Sequence, residues 1–331
     1  MVSTCCGKGT NMIKLIDRTL SCLDEWDPAP EDLQALLEHL LELHVDQIEL
    51  SAQVCRKLKH LDPRGRYLLR LETMEEAAAF PSISRFVTRT PDLEGLPGCT
   101  LEIQMNDVGE LGRLERYRNR PTLRVVGLDD LFLHNSDTAF RQLSAFGGRL
   151  ELCPEDTCHC ATAIAVEWLL HGGTYAVTAF GGIGGCPALE EVMLALRLEV
   201  RRRPNDAYPA FAQMRALLER MTGEQFGDKK AVIGRSIFRV ESGIHVDGIQ
   251  KDPRSYEAYP PELVGAKREV VLGAQSGRGA VAQKLQELGV PPETVDLPGL
   301  LAAIRRAPVV SSDMLVQLAA QFPAGTKGGI A

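Results

Sequence analysis

The sequence predicts an α/β fold: a (β/α)8 TIM barrel followed by a small helical C-terminal subdomain. Two observations carry this expectation. Eight short runs rich in Val, Ile and Leu recur through the first two-thirds of the chain, as strands buried on both faces should. Helical patterns separate several of them, over nearly the length such a barrel needs. An open doubly wound sheet is the alternative that periodicity leaves standing.

The strands are expected at Met12–Arg18, Gln47–Ser51, Tyr67–Leu71, Arg85–Arg89, Leu101–Met105, Leu123–Gly127, Leu150–Cys153 and Tyr175–Phe180. Leu33, Leu36, Leu37, Leu40 and Leu41 follow the i, i+3, i+4 spacing of one buried helix face. Ala161–His171 reads as a second helix and Leu189–Arg202 as a third. The third ends in Arg201, Arg202 and Arg203, a basic and solvated last turn that suits the helix dipole. Pro204-Asn205-Asp206 then breaks the pattern, and an amphipathic helix follows over Tyr208–Met221. Gly243–Gly279 is dense in Gly, His, Asp and Tyr, unlike barrel sequence. Three helical patterns close the chain at Ala280–Leu288, Leu297–Arg306 and Ser312–Phe322, the last with Ser311 or Ser312 as its N-cap. The expected organisation is a tail over 1–11, the barrel over 12–205, and linker helices with the C-terminal subdomain over 206–331. Met12 is an alternative start, because the first strand begins there.

The 331 residues are 44% hydrophobic and 24% charged, which suits a large folded core and excludes a disordered or collagen-like chain. Lys and Arg number 37 against 44 Asp and Glu, a net charge of −7. That balance argues against a general nucleic-acid binder, which needs a basic face. No apolar run approaches the roughly 18 residues of a membrane span, and Met1–Asn11 lacks the apolar core of a signal peptide. A soluble, cytoplasmic protein with neither nucleic acid nor membrane as partner is expected. Nine irregularly spaced cysteines suit thiols, metal ligands or catalytic groups better than a disulfide framework.

Residues 230–279 carry the most specific signal. They contain Ile233-Gly234 with Phe238, then Ser242-Gly243-Ile244-His245-Val246-Asp247-Gly248, then Lys251, Pro253 and Tyr256-Glu257, then Pro261 with Val264-Gly265, and finally Gly273 with Ser276-Gly277. In order and spacing this closely resembles the segment that follows the barrel in homocitrate synthases and 2-isopropylmalate synthases. Shorter matches agree: Asp17-Arg18-Thr19-Leu20 and Ile48-Glu49 on the first two strands, and Leu189-Glu190-Glu191-Val192 after the eighth. The chain stops without the regulatory domain of isopropylmalate synthases, as the shorter homocitrate synthases do. The resemblance implies a Claisen-type condensation of acetyl-CoA with a 2-oxo acid on a divalent metal. In that chemistry the metal stabilises the developing alkoxide. It also implies that His245 and Tyr256 are candidate catalytic residues assisting proton transfer, a role for which histidine is suited.

The resemblance fails where the family holds its metal and oxo acid. The family's Arg-Asp after Thr-Leu is Ser21-Cys22 here. Its paired histidines on the seventh strand are Cys153 and Glu155. The asparagine after the eighth strand falls on Cys186, within Gly184-Gly185-Cys186-Pro187, a run that resembles the mobile cysteine loop of hydroxymethylglutaryl-CoA lyases. Ser21 and Glu49 are the candidate substrate-binding residues. Cys22, Cys153, Glu155 and Cys186 are the candidate metal set, soft enough to favour zinc over magnesium. Loss of selection on these positions would equally leave small, cysteine-like side chains there. Three functions follow: a homocitrate synthase-like acyltransferase with an altered metal site, an inactive subunit that stabilises an active homologue, or a different lyase with a cysteine-rich metal. Family dimers exchange their post-barrel segments, so His245 and Tyr256 could complete a partner's site in a homodimer or heterodimer.

Overall fold

Eight parallel strands close into a barrel in sequence order. They are β1 (Lys14–Asp17), β2 (Gln47–Ser51), β3 (Tyr67–Leu71), β4 (Phe86–Thr88), β5 (Cys99–Met105), β6 (Thr122–Gly127), β7 (Arg149–Pro154) and β8 (Tyr175–Thr178). β8 pairs with β1 through Tyr175↔Lys14 to Thr178↔Asp17, which removes every sheet edge and rules out the open-sheet alternative. The computed structural model describes residues 13–202, 206–240, 252–274, 276–307 and 310–324.

The connections explain why the middle of the sequence reads weakly. Helix α1 (Pro30–Glu42) starts with Pro at N1 and Glu31 and Asp32 in its first turn, where fixed φ and the helix dipole favour them. It buries Leu33, Leu36, Leu37 and Leu40, with Leu41 half-buried. Helix α2 (Ala52–Lys57) is capped by Ser51, whose hydroxyl accepts from the Val54 amide at 3.0 Å. Helix α3 (Met74–Ala79) has a capping box of Thr73 and Glu76 yet buries no residue. Between β5 and β6 the chain makes only a 3-10 helix, Val108–Tyr117, burying Leu111 and Leu114. Regular helices resume with α4 (Ser136–Ser144), α5 (Ala161–Leu170) and α6 (Leu189–Val200).

The chain divides into two compact units. The barrel unit runs to Gly227 and takes in Ala231–Ile233. Helix α7 (Ala210–Thr222) therefore groups with the barrel, although the sequence reading placed it beyond residue 205. The basic turn after α6 departs from expectation. Arg201 adopts φ 52 and ends the helix. Arg202 turns back to donate to Asp46 at 2.9 Å and to the Ile13 carbonyl at 3.3 Å, so it fastens the helix to the barrel rather than standing in solvent. Arg203 lies outside the described residues.

The second unit pairs a short strand, Arg239–Val240, with Glu269–Val270. Its helices Arg278–Glu287, Leu297–Ile304 and Ser312–Ala319 surround a core of Leu272, Val281, Leu285, Leu300, Ile304 and Leu315. Ser311 is the N-cap of the last helix and accepts from the Met314 amide at 3.3 Å. No helix among the described residues is long and apolar enough to cross a membrane.

Candidate functional site at the barrel mouth

Strand alternation sends every second residue into the barrel. In this chain many of those residues are charged. Arg124 on β6 reaches across to Glu49 on β2, and bonds Glu151 at 2.9 Å and Glu102 at 3.3 Å. β2 and β6 stand on opposite sides of the barrel, so the first of these bonds crosses its interior. Arg70 donates to Glu49 at 2.8 Å and to Glu102 at 2.6 Å. Arg89 joins from β4's end at 2.5 Å from Glu102, and Arg149 from β7 at 2.5 Å from Glu151. Arg124, Glu49 and Glu151 are wholly buried. Burial alone would raise the carboxyl of Glu102, but Arg70 and Arg124 outweigh it and hold it at about 2. Glu49 is likewise held well below the usual carboxylate range, by Arg70, Arg124 and Arg18 against burial.

Above this network lies the mouth at the C-terminal strand ends, where barrel enzymes carry their chemistry. Arg18 follows β1, with its guanidinium 3.8 Å from Glu49 and 3.9 Å from the Cys153 sulfur. Its Nε is buried without a hydrogen-bond partner. Cys22 sits on the 3-10 helix Leu20–Trp26, Cys153 on β7, and Cys186 after the glycine turn that follows β8. Gly181, Gly182, Gly184 and Gly185 in that turn all have positive φ, which side chains other than glycine rarely adopt. A Cβ on Gly184 would come within 2.7 Å of the Cys22 sulfur, so glycine lets the turn close over it. The Cys186 thiol is within hydrogen-bonding reach of both Cys22 and Cys153. That bond, with Arg18 helping, lowers the thiols of Cys22 and Cys153 and raises Cys186 well above the ordinary range.

The structure brings Cys22, Cys153 and Cys186 together. Glu155 accepts from Gln104 Nε2 at 2.8 Å. Among the described residues no group of three or more His, Cys, Asp or Glu is set to hold a metal ion. The donor chemistry points the same way. Five guanidinium groups (Arg18, Arg70, Arg89, Arg124, Arg149) share three carboxylates in one linked network. A divalent cation placed beside Cys153 would face Arg18 at close range. With Arg18 this close, these residues do not fit a magnesium or manganese ion.

Ser21 and Glu49, the candidate substrate-binding pair, do meet. Ser21 donates to Glu49 at 3.0 Å. Glu49 is fully buried and already engaged by Arg70 and Arg124, so its carboxylate faces the network rather than a ligand. Tyr256 stands half-exposed in the second unit. His245 lies outside the described residues. At the opposite barrel end an open hollow of about 390 Å³ is lined by Lys14, Gln47, Arg149 and Tyr175. Arg149 stacks on Tyr175 there, 3.9 Å from the ring centre, and closes the lumen. That face supports the barrel instead of its chemistry.

Comparison with known proteins finds similarity in both sequence and fold. Residues 232–308 match the family model "Homocitrate synthase post-HMGL domain-like". The homocitrate synthase omega subunit of Clostridium pasteurianum is 27% identical over 83% of this chain and 84% of its own length. Homocitrate synthase AksA of Methanothermobacter thermautotrophicus is 37% identical over 40% of this chain, and the match spans about a third, 36%, of that relative. The homocitrate synthase of Frankia alni is 34% identical over 55% of this chain and 52% of its own. In fold, the hydroxymethylglutaryl-CoA lyase of Bacillus subtilis superposes with a TM-score of 0.52 at 14% identity, covering 65% of this chain and 95% of the lyase. Over residues 232–308 the chain is similar to the segment that follows the barrel in homocitrate synthases, and the relatives named here by sequence are homocitrate synthases. Its barrel shares the fold of hydroxymethylglutaryl-CoA lyase.

Proposed function

We propose that this chain is a subunit of a homocitrate synthase-like acyltransferase, and that a second, homologous chain supplies the metal centre. The reaction joins the methyl carbon of acetyl-CoA to the ketone of a 2-oxo acid and releases CoA. The observation that carries the reading is Arg18, whose guanidinium lies 3.9 Å from Cys153 among three thiols at the mouth. Ser21-Cys22 stands where the resemblance puts an Arg-Asp pair, which supports the reading that the metal is held by another chain. The post-barrel segment keeps His245 and Tyr256. Their persistence beside an altered mouth is explained if they act in the partner's site. The relative spanning most of the chain is itself named as one subunit of a homocitrate synthase.

One observation favours a second reading, in which the chain condenses substrates alone. The buried, unpartnered Nε of Arg18 could hold an oxo-acid carboxylate. A CoA-release assay with acetyl-CoA and 2-oxoglutarate separates the two. The chain alone should show no turnover. Mixed with a homologue that retains the Arg-Asp and His-x-His motifs, it should co-elute and turn over. Tyr256→Phe in this chain should then lower kcat of the complex about 100-fold, the scale of a lost general acid or base. Turnover by the isolated chain would establish the second reading and overturn the first.

A further inference from the structure

Independently of that reading, the thiol cluster has a chemistry of its own. Three sulfurs from three separate elements converge: Cys153 and Cys186 are buried in one cluster, and Cys22 packs against it. Their surroundings differ. Cys153 is 1% exposed and fixed on β7, and Cys186 is 3% exposed. Cys22 is half-buried, on the 3-10 helix that follows β1. Cys186 follows the turn Phe180–Gly185, whose glycines occupy backbone conformations that can adjust. Arg18 stands beside the cluster, and a neighbouring cation favours the nucleophilic form of a thiol. By contrast Cys55 is held in a setting where burial pushes its thiol up to about 12, and Cys158 is exposed with neither a thiol cluster nor Arg18 beside it.

We propose that Cys22 is a hydroperoxide-reactive residue and that Cys186 resolves it, forming a Cys22–Cys186 disulfide that ties the turn after β1 to the turn after β8. In the first step the Cys22 sulfur attacks one peroxide oxygen and the O–O bond breaks. Cys22 is oxidised to the sulfenic acid, and the other oxygen leaves with the thiol proton as water or an alcohol. In the second step the Cys186 sulfur displaces the hydroxyl from Cys22. The S–O bond breaks, the S–S bond forms, and the Cys186 proton departs with the hydroxyl as water. The peroxide is the oxidant and is consumed mole for mole. The disulfide would close the mouth, so oxidation would change whatever the mouth admits.

The test is peptide mapping of the reduced, full-length chain after brief treatment with hydrogen peroxide, with remaining thiols blocked by N-ethylmaleimide. A Cys22–Cys186 linked peptide pair should appear about 10-fold faster than any modification of Cys158. The wild-type map stands without a variant. In Cys186→Ser, dimedone should trap a persistent sulfenic acid on Cys22. Oxidation of Cys158 ahead of Cys22 would overturn the proposal. So would a wild-type chain in which Cys22 goes to the sulfinic acid or pairs with Cys153.

Discussion

The middle of the barrel and its mouth are built from the same strands and differ in almost every physical respect. In the middle, Arg124 alone binds three carboxylates, and none of its side chain is exposed. At the mouth, Arg18 has neighbours of two kinds, the Glu49 carboxylate at 3.8 Å and the Cys153 sulfur at 3.9 Å. The middle is a closed, charge-paired plug that fixes strand register across the lumen. The mouth is softer, with Cys22, Cys153 and Cys186 gathered beside the Arg18 guanidinium. Stability and chemistry have therefore been separated along the barrel axis. One layer pairs charges across the lumen, and the layer above it gathers a cation and three thiols.

Breaking the middle should do the most damage. Arg124→Met leaves Glu49, Glu102 and Glu151 buried with fewer cations, and a loss of about 3–5 kcal/mol is expected in urea unfolding. A loss below 1 kcal/mol would show that the plug is not what holds the barrel.

The pH dependence sharpens the contrast. Glu102 is held at about 2, below its unfolded value. Its contribution is present above pH 4.5 and is lost as pH falls from there toward 2, on the order of 3 kcal/mol. Asp17 behaves oppositely. Burial raises it to about 7, although Thr19 opposes the shift by donating through its hydroxyl at 2.8 Å and its amide at 3.0 Å. A carboxyl raised in the folded state favours folding at low pH, and that contribution is lost as pH rises from about 4 to 7. Asp17→Asn should therefore be more stable than wild type at pH 8 and lose the advantage by pH 4, read from urea midpoints at both values.

Changes at the mouth should be gentler on the fold. Arg18→Met should cost less than Arg124→Met in the same urea unfolding, because Arg70 and Arg124 still pair with Glu49. It should also slow alkylation of Cys22 by iodoacetamide about 10-fold, because the cation favouring its thiolate is gone. Unchanged alkylation would separate Arg18 from the thiols. Ser21→Ala, which removes one donor from Glu49 where mouth and middle meet, should cost about 1 kcal/mol in thermal unfolding.

Much of the barrel was legible because buried parallel strands are written as compact apolar runs. β2 and β3 fall where expected, at Gln47–Ser51 and Tyr67–Leu71. The charged plug was missed although its signal was present. Glu49, Arg70, Glu102, Arg124 and Glu151 interrupt strands that are otherwise apolar, at alternate positions pointing to one side. A lone charge in such a strand needs an opposite charge on another strand, and no single strand shows where that partner is. At the mouth, the meeting of Cys22, Cys153 and Cys186 was legible only through the family's pattern, since they are far apart in sequence. The Gln104 partner of Glu155 was not legible either, because strand position does not reveal it. Arg18 drew no functional reading for a similar reason. It occupies an ordinary position in the first strand's match, and only the three-dimensional neighbourhood shows its sulfur contacts.

The most direct measurement is metal content and manganese binding of the reduced, full-length chain, by elemental analysis and by titration followed with electron paramagnetic resonance. A mouth occupied by Arg18 and three thiols predicts no stoichiometric zinc and no saturable manganese binding up to millimolar concentration. One tightly held zinc or manganese per chain, released on Cys153→Ser, would contradict the account and restore a metal to the barrel mouth.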